Sequence, residues 1–429
     1  MSEKSYTEEN RDRYLLIKST TFKGESTDLL VKGNRIARIA PEIDAPGAQV
    51  IDGRGKAVIP GLVNAHTHAA MTLFRGIGDD MPLMTWLQEK IWPLEAKLTR
   101  EDVYWGTKLA LVEMIRSGTT TFFDMYYQLD ATIAAVEEMG LRAVLSEACF
   151  DHFRPELTQK SKRHIMERFR SPATCPSRIR LCLGPHAIYT VSDDLLKWAH
   201  TFAQENNLLI QMHLSETKNE VEQCVSRYGT TPVRFLHKLG VLSPRWVFAH
   251  VLYVDDEEIA LLAESGAKVV HNPASNMKLG SGFRFQYEEM RQVGITVGLG
   301  TDGCSSSNNL DMIEVMKQAA LLGKAWRMNP EVTSCEAMFH AATEAGAAIA
   351  GVDAGRIAEG AIADFCLIDL SLPVFTPNFN FISNLVYAAN GSCVDTVVCD
   401  GRILMYNRVI PGEAEIREQA ARRAYGLLS

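Results

Sequence analysis

Short apolar runs separated by turn residues mark the first sixty residues as a β region. Tyr14–Ile17 and Asp28–Val31 are mainly apolar and of strand length. Gly33-Asn34 is a turn signal, and polar and apolar residues alternate from Arg35 to Ile39 behind it. Val50–Gly55 predicts one more hairpin. The pattern indicates a small sheet that ends near residue 60.

The pattern changes after Pro60, where short apolar strands alternate with segments of helical periodicity. Glu101–Ser117 predicts a helix that begins at the N-cap Thr99 and ends at Gly118. Further elements continue the alternation: strand Thr119–Asp124, helix Leu129–Met139 and strands Arg142–Ser146, Ile179–Leu183, Leu208–His213, Trp246–His250, Lys268–His271 and Thr296–Leu299. About eight βα units predict an α/β protein with a right-handed (β/α)8 TIM barrel.

Strand character returns after Gly360. Ala363–Ile368 and Thr396–Met405 predict β segments, and the second contains an Asp-Gly turn typical of a hairpin. Because both flanks of the barrel have the same character, we expect one small β-sandwich domain formed from both chain ends. Its parts are residues 1–59 together with 359–429, and the catalytic barrel spans residues 60–358.

The amino-acid composition narrows the class of binding partner and the expected cellular compartment. The 429 residues carry 44 basic and 52 acidic side chains, a net charge of −8, which argues against nucleic acid or an anionic membrane and favours a small-molecule substrate. The nine cysteines are scattered with no CxxC pair, as in a reduced, cytoplasmic protein. The polar segment Met1–Asn10 is no signal peptide, and no run of 18 apolar residues predicts a membrane span.

The stretch from Ala57 to His68 is the first candidate for chemistry. It predicts a short buried strand that ends in two histidines one residue apart, with Gly61 allowing a tight turn. Alternate residues of a strand share a face, so His66 and His68 can both reach one metal ion. On its own the pair fits a polar strand end equally well.

Later strands of the predicted barrel also end in polar residues. His213 and His250 end two strands, Glu216 follows three residues after the first, and Asp302 follows the last one. His271 ends a further strand. Each has an ordinary alternative, since Glu216 could be a helix-start glutamate and Asp302 an N-cap. Active sites of such barrels lie at the carboxyl ends of the strands, so the combined set favours one divalent metal, zinc or ferrous iron.

Four motifs in order carry a family resemblance: Pro60–His68, Met212–Thr217, His271–Gly280 and Gly300–Gly303. They resemble the amidohydrolase superfamily, in its mononuclear deaminase and chlorohydrolase branch. Trp92–Thr99 and Gly184–Thr190 are similar to motifs of the 5-methylthioadenosine/S-adenosylhomocysteine deaminases. The likeness runs from about residue 14 to about residue 410.

This resemblance implies an adenosine-type deaminase that releases ammonia and leaves the inosine analogue. It implies one metal ion as cofactor, Zn²⁺ or alternatively Fe²⁺. The four ligands of this ion would be His66, His68, His213 and Asp302. Glu216 would protonate N1 of the adenine ring, while His250 and Asp302 would orient the attacking water and accept its proton.

The same likeness places substrate contacts at Glu95, which would bind the ribose hydroxyls, and at His186. Trp92, with Trp86 and Phe74, could form an apolar wall or could be ordinary core packing. Glu95 could also be a solvated glutamate at a helix start.

Some alternatives stay open at this point. S-adenosylhomocysteine-accepting members usually carry an arginine where this chain has Glu147, and Arg154 is a possible substitute; this favours methylthioadenosine or adenosine. Rival functions are a guanine or other free-base deaminase, an s-triazine amino- or chlorohydrolase, and a catalytically silent relative. Enzymes of this size are often homo-oligomers, which is a base rate only.

Overall fold

The computed structural model describes residues 14–170 and 175–428. The segment Met1–Asn10, from which no signal peptide is predicted, lies outside the described residues. Within those ranges, no helix is both long enough and apolar enough to cross a bilayer.

The strands follow the chain in this order: β1 (Tyr14–Phe22), β2 (Glu25–Lys32), β3 (Arg35–Ala40), β4 (Gln49–Asp52), β5 (Lys56–Pro60), β6 (Leu62–Thr67), β7 (Thr119–Tyr126), β8 (Arg142–Cys149), β9 (Ile179–Leu181), β10 (Gly184–Pro185), β11 (Ile210–Leu214), β12 (Trp246–His250), β13 (Lys268–His271), β14 (Val297–Leu299), β15 (Phe365–Asp369), β16 (Val394–Cys399) and β17 (Arg402–Met405).

The helices fall into two groups. Short segments of 3₁₀, α and π helix lie within residues 69–95: Ala69–Phe74, Leu83–Trp86, Leu87–Ile91 and Trp92–Glu95. Longer and later helices surround the barrel or end the chain: Arg100–Arg116, Leu129–Met139, Pro155–Arg170, Asp193–Glu205, Lys218–Tyr228, Pro232–Lys238, Asp256–Ser265, Pro273–Lys278, Tyr287–Gln292, Cys304–Ser307, Met312–Arg327, Cys335–Ala341, Glu344–Ala350, Phe381–Tyr387 and Glu413–Leu428, with 3₁₀ turns at Pro373–Phe375 and Gly391–Cys393.

Both chain ends share one eight-stranded sheet, ordered β17-β16-β15-β5-β1-β2-β3, with β4 paired to β1. Antiparallel pairing of β5 with β15 joins the N-terminal and C-terminal parts. Hydrogen bonds from Ile36 N to Ala361 O and from Ala363 N to Asn34 O, both 2.9 Å, curl the sheet round its own apolar core. The boundaries at residues 59 and 359 stay a prediction.

The hairpin predicted at Val50–Gly55 is wrong. β4 and β5 do not pair with each other; they follow one another along the same edge of β1, both parallel to it. The reason is the crossing at Gly53, whose N–H donates to Lys18 O at 2.7 Å. A Cβ at this glycine would lie 2.7 Å from that same oxygen, which shows how closely the chain approaches β1. The chain therefore continues along β1 instead of turning back.

Parallel strands β6 to β14 form the barrel, with β9 and β10 both on the edge of β8. Bridges Leu183–Ile210 and Ala187–His213 join that edge to β11. The ring closes where Asp302 N donates to His66 O at 3.0 Å. The predicted α/β fold, a TIM barrel beside a sheet from both chain ends, is confirmed.

The stretch Ala57–His68 is two strands and not one, which corrects the expectation. Its first part belongs to the sheet of the chain ends as β5, and its second part opens the barrel as β6. The change of sheet occurs at Gly61, where a Cβ would lie 2.1 Å from Thr120 Oγ1. Glycine is needed there because β7 passes so close.

Local signals placed several helices well. Arg100–Arg116 has its N-cap at Thr99, and a full capping box links Thr99 and Asp102. Helix Leu129–Met139 has the predicted bounds and ends at Gly140 in the left-handed conformation.

Candidate metal centre and active site

Four of the predicted residues meet at the carboxyl ends of the barrel strands. His66 lies in β6 and His68 directly after it, His213 lies in β11, and Asp302 follows β14. Asp302 Oδ1 lies 3.1 Å from His68 Nε2 and 3.5 Å from His66 Nε2. His213 Nε2 lies 3.2 Å from His68 Nε2. The ligand-type atoms of the three histidines all lie within 4.8 Å of one another.

Hydrogen bonds fix which nitrogen each ring turns to the centre. Three histidines contact an oxygen through Nδ1: His66 contacts Gln211 Oε1 (3.0 Å), His68 contacts Met125 O (2.7 Å) and His213 contacts His186 O (2.8 Å). An oxygen acceptor requires the proton on Nδ1, so the lone pair of each Nε2 faces the cluster. Metal-bound histidines use the same arrangement.

Gln211 is itself held in one orientation. Its Nε2 donates to Asp124 O at 2.8 Å and to Ser146 Oγ at 3.0 Å. The amide oxygen is therefore the atom that faces His66. Acceptors on β7 and β8 orient Gln211, and Gln211 in turn fixes the tautomer of His66.

Asp302 also has one oxygen reserved for the centre. Ser275 and Ser306 donate to Oδ2 at 2.6 and 2.7 Å. Within the described residues, Asp302 Oδ1 and His66 Nε2 are buried polar atoms without a hydrogen-bond partner. Buried polar atoms rarely stay unpaired. Three imidazole nitrogens and one carboxylate oxygen fit a divalent cation with an open position.

Two more predicted residues stand beside this cluster. His250 Nε2 lies 3.9 Å from Glu216 Oε2, and Asn276 Oδ1 accepts from His250 Nδ1 at 2.7 Å. Ser281 Oγ donates to Glu216 Oε1 at 3.1 Å. Burial, with the charge of Asp302, raises the pKa of Glu216 to about 8. A carboxyl group with this pKa holds its proton at neutral pH and can donate it.

A cavity opens above the cluster and brings the predicted substrate residues to one place. Glu95, Trp92 and His186 line it together with His68, His213, Glu216, His250 and Asp302. The rest of its wall is largely apolar or aromatic: Met71, Leu83, Trp86, Leu87, Ile91, Met125, Tyr126, Tyr127, Ala148, Phe150, Tyr189 and Leu279, with Ser306.

Glu95 lines this cavity from the end of the short helix Trp92–Glu95. Tyr127 Oη donates to Glu95 Oε2 at 3.4 Å. Burial raises the pKa of Glu95 to about 7. This carboxyl group is thus poorly hydrated and still has hydrogen-bonding capacity for a ligand.

His186 presents an acceptor to the cavity. Thr190 Oγ1 donates to Ala187 O at 3.1 Å, so it accepts from His186 Nδ1 at 2.9 Å. Burial lowers the pKa of His186 to about 3, which keeps the ring neutral. Its Nε2 is the atom left to accept a hydrogen bond.

The aromatic residues named as a possible wall separate into two groups. Trp86 and Trp92 line the cavity, whereas Phe74 does not and is 1 % exposed in a core cluster with Trp86. For Phe74 the packing alternative is the right one. His271 is also no part of the cluster, since its ring stacks on Phe285 at 4.0 Å.

Glu147 does not line the cavity. Its Oε2 lies 2.7 Å from His164 Nε2, on the outer helix Pro155–Arg170. Arg154, the suggested substitute for a missing arginine, is 61 % exposed, lies 4.0 Å from Glu156, and does not line the cavity either.

Sequence reasoning missed the residues that orient the ligands and several that line the cavity. Gln211 lies two residues before His213 and so shares its strand face, a signal that could have found it. Tyr126 ends β7 and Tyr127 follows it, and a strand end is also a place to search in a barrel. Ser281 and Phe150 had no comparable local signal.

Comparisons with known proteins identify the family of this chain. The amidohydrolase family matches residues 57–404. A 5'-deoxyadenosine deaminase of Methanoregula boonei is 46 % identical over 382 residues, 88 % of this chain and 86 % of the relative. A 5-methylthioadenosine/S-adenosylhomocysteine deaminase of Thermococcus sibiricus is 44 % identical over 397 residues, 91 % of this chain and 92 % of the relative.

A solved structure extends the comparison to three dimensions. The zinc-bound crystal structure of an adenosine deaminase from Xanthomonas campestris superposes with a TM-score of 0.88 and 32 % identity. The match covers 97 % of this chain and 98 % of that one. With a family match across most of the chain and relatives at 46 % and 44 % identity along nearly its whole length, this chain belongs to the amidohydrolase family.

Proposed function

We propose that this chain is a metal-dependent hydrolase that deaminates an adenosine-type nucleoside, giving the inosine analogue and ammonia. The names of the relatives from Methanoregula boonei and Thermococcus sibiricus support this reaction class. The observation that carries the proposal is the position of Glu216, a carboxyl group buried beside the proposed metal ligands and facing the same cavity as Glu95.

His66, His68, His213 and Asp302 would hold one divalent ion, with zinc as our choice and ferrous iron as the alternative. The zinc bound by the adenosine deaminase relative supports this choice. When bound, such an ion supplies a water whose pKa is lowered to about 7.

Three residues of the chain then handle protons. Glu216 donates to N1 of the adenine ring, which makes C6 a better electrophile. His250 and Asp302 orient the attacking water, accept its proton and help to return one to the leaving amine. Each such acid–base contribution is worth about 10²–10⁴-fold in rate.

Glu95, His186 and Trp92 would select the nucleoside. A carboxylate can accept from both vicinal hydroxyls of a ribose, and His186 adds a neutral acceptor. Trp92 offers an apolar face beside Glu95. Glu95 argues against a free base such as guanine, which has no hydroxyls for it to bind.

The substituent at the 5' position is expected to be uncharged. Among the described residues that line the cavity there is no lysine or arginine. The carboxylate of S-adenosylhomocysteine would enter the site without a cationic partner, and an unpaired buried charge is costly. We therefore rank 5-methylthioadenosine, 5'-deoxyadenosine and adenosine ahead of it.

A panel of nucleosides, free purines and s-triazines, scored by ammonia release from the metal-loaded enzyme, tests the proposal. We expect the highest kcat/KM with nucleosides that carry an uncharged 5' group. A preference for guanine would support the free-base alternative, and a preference for triazines would support the chlorohydrolase alternative.

Glu216→Gln tests the proton donor directly. The variant should keep its metal and lose about 10²–10⁴-fold in kcat. Full turnover in this variant would remove Glu216 from the mechanism, and absence of metal and of any turnover in the wild type would support a catalytically silent relative.

The cellular setting and the assembly of the enzyme are proposed on composition and size. We expect a cytoplasmic protein, because the scattered unpaired cysteines suit a reducing compartment. We also expect a homo-oligomer, on the base rate for enzymes of this size.

A further inference from the structure

The backbone turn that carries Glu216 is held by a second acid, Glu220, which does not line the cavity. The chain leaves β11 through Ser215, whose φ of 50° lies in the left-handed region that non-glycine residues seldom adopt. Glu220 accepts from both N–H groups of the turn: Oε1 from Ser215 N and Oε2 from Glu216 N, each at 2.8 Å. Leu252 N and Tyr253 N donate to Ser215 O at 3.0 Å.

The local sequence hides this role. Thr217-Lys-Asn-Glu220 has the spacing of a capping box, in which the acid would bind the N–H of the threonine. The Thr217 side chain does cap the helix, accepting from Glu220 N at 3.1 Å. The Glu220 carboxylate, however, reaches past Thr217 to the two residues before it.

An ordinary capping box elsewhere in the chain gives the contrast. Asp255 caps the helix Asp256–Ser265, and Glu258 returns to Asp255 N at 3.2 Å. Glu258 and Glu220 are both acids at the third helical position and are 2 % and 3 % exposed. They differ in what they hold: Glu258 holds its own cap and also accepts from Thr231 Oγ1, while Glu220 holds the peptide of the proposed proton donor.

We propose that Glu220 is a positioning residue for deamination, which keeps the 215–216 peptide in the conformation that directs Glu216 into the cavity. This inference rests on the proposed function of Glu216. Glu220 itself does not line that cavity, so it acts through the backbone and not through contact with substrate.

The backbone bonds matter because the side chain of Glu216 has few other restraints. Ser281 holds one of its oxygens, and the other lies 3.9 Å from His250. With an amide at position 220, an NH₂ group would replace one acceptor and face a backbone N–H. The turn could then relax from its left-handed conformation, and a shift of about 1 Å in a reacting group can cost about 10²-fold in rate.

Glu220→Gln in the full-length, metal-loaded enzyme tests this inference. We expect kcat with 5'-deoxyadenosine to fall by about 10²-fold, while KM and bound metal per chain change by less than about threefold. Glu258→Gln is the matched control, and it should lower Tm with kcat retained. Equal losses of kcat in the two variants, or unchanged kcat in Glu220→Gln, would overturn the inference.

A double variant separates positioning from general damage. If Glu220 acts through Glu216, adding Glu220→Gln to Glu216→Gln should leave the residual rate within about threefold, because interacting sites are not additive. A further drop as large as in the single variant would overturn the inference. Its failure also differs from failure of the proposed function, in which Glu216→Gln itself would keep its turnover.

Discussion

Two sides of the cavity are built in different ways: the floor, formed by residues at the ends of the barrel strands, and the cover, formed by residues 83–95. On the floor, His213 lies in a barrel strand and His68 directly after one, and each ring is fixed through Nδ1 by a backbone oxygen, that of His186 and that of Met125. The cover, residues 83–95, is three short helical segments, one of them the π turn Leu87–Ile91. It offers side chains such as Trp92 and Glu95, which line the cavity.

The two kinds of structure suit two different tasks, holding metal ligands and selecting a substrate. Hydrolysis needs metal ligands held to a few tenths of an ångström, which rigid strand ends with hydrogen-bonded neighbours provide. Selecting a substrate needs a wall that can vary in sequence without disturbing those ligands, and π turns occur often at such functional places. Changes on the floor should therefore reduce turnover with every substrate, and changes in the cover should act on selected substrates.

The largest effect is expected on the floor, for Asp302→Ala. This variant loses a proposed metal ligand and a proton acceptor together, so kcat should fall by about 10⁴-fold or more with every substrate. Metal analysis and ammonia release measure both losses. Substantial activity with one substrate only would contradict the proposed separation of floor and cover.

The next largest effect concerns the support of the floor, through Gln211→Leu. Without the amide oxygen, His66 loses the partner that fixes its tautomer, and metal affinity should drop by about 10–100-fold. Competition with a chelator gives the affinity. Gln223→Leu, an exposed position on the helix Lys218–Tyr228, is the control and should leave the affinity unchanged.

An effect of similar size but confined to some substrates is expected in the cover, for Glu95→Ala. Loss of hydrogen bonds to the ribose should raise KM for nucleosides by about 10–100-fold and leave any slow turnover of adenine itself unaffected. Steady-state kinetics with both substrates measure the split. An equal loss for the nucleoside and the base would count against ribose binding.

The smallest effect is one of stability, in Glu95→Gln. Burial raises the pKa of Glu95 to about 7 from a usual value of 4.5, so between these values only the unfolded chain loses the proton. Folding stability therefore declines across this range as pH rises. The amide does not titrate, so the variant should match the wild-type Tm near pH 5 and exceed it at pH 8, as thermal melts at equal metal loading would show.

The sequence predicted well whatever depends on local pattern. The buried parallel strands read as continuous apolar runs, so β12 and β13 have the predicted bounds. The four proposed metal ligands could be named because strand ends of a barrel meet at one face, and the structure places the three histidines close together with Asp302 beside His66 and His68. The fold and the family are confirmed, while the roles of the site residues stay predictions.

Features that depend on distant contacts were out of reach. The division of Ala57–His68 at Gly61 follows from the nearby Thr120, which lies in another strand. Tyr127 contacts Glu95 although the two residues are 32 positions apart in the sequence. Glu220 had the spacing of an ordinary cap, and nothing in that spacing tells which N–H groups its carboxylate reaches.

The joining of both chain ends in one sheet has a consequence for synthesis in the cell. β5 is made early, but its partner β15 begins about 300 residues later. At about 5–20 residues per second, the ribosome needs roughly 15–60 s to supply that partner. Throughout this interval the nascent chain carries an unpaired apolar strand edge of the kind that aggregates or recruits chaperones. The sheet of the chain ends can therefore be completed only after most of the chain has been synthesised. We expect the yield of folded protein to depend on translation speed as well as on final stability.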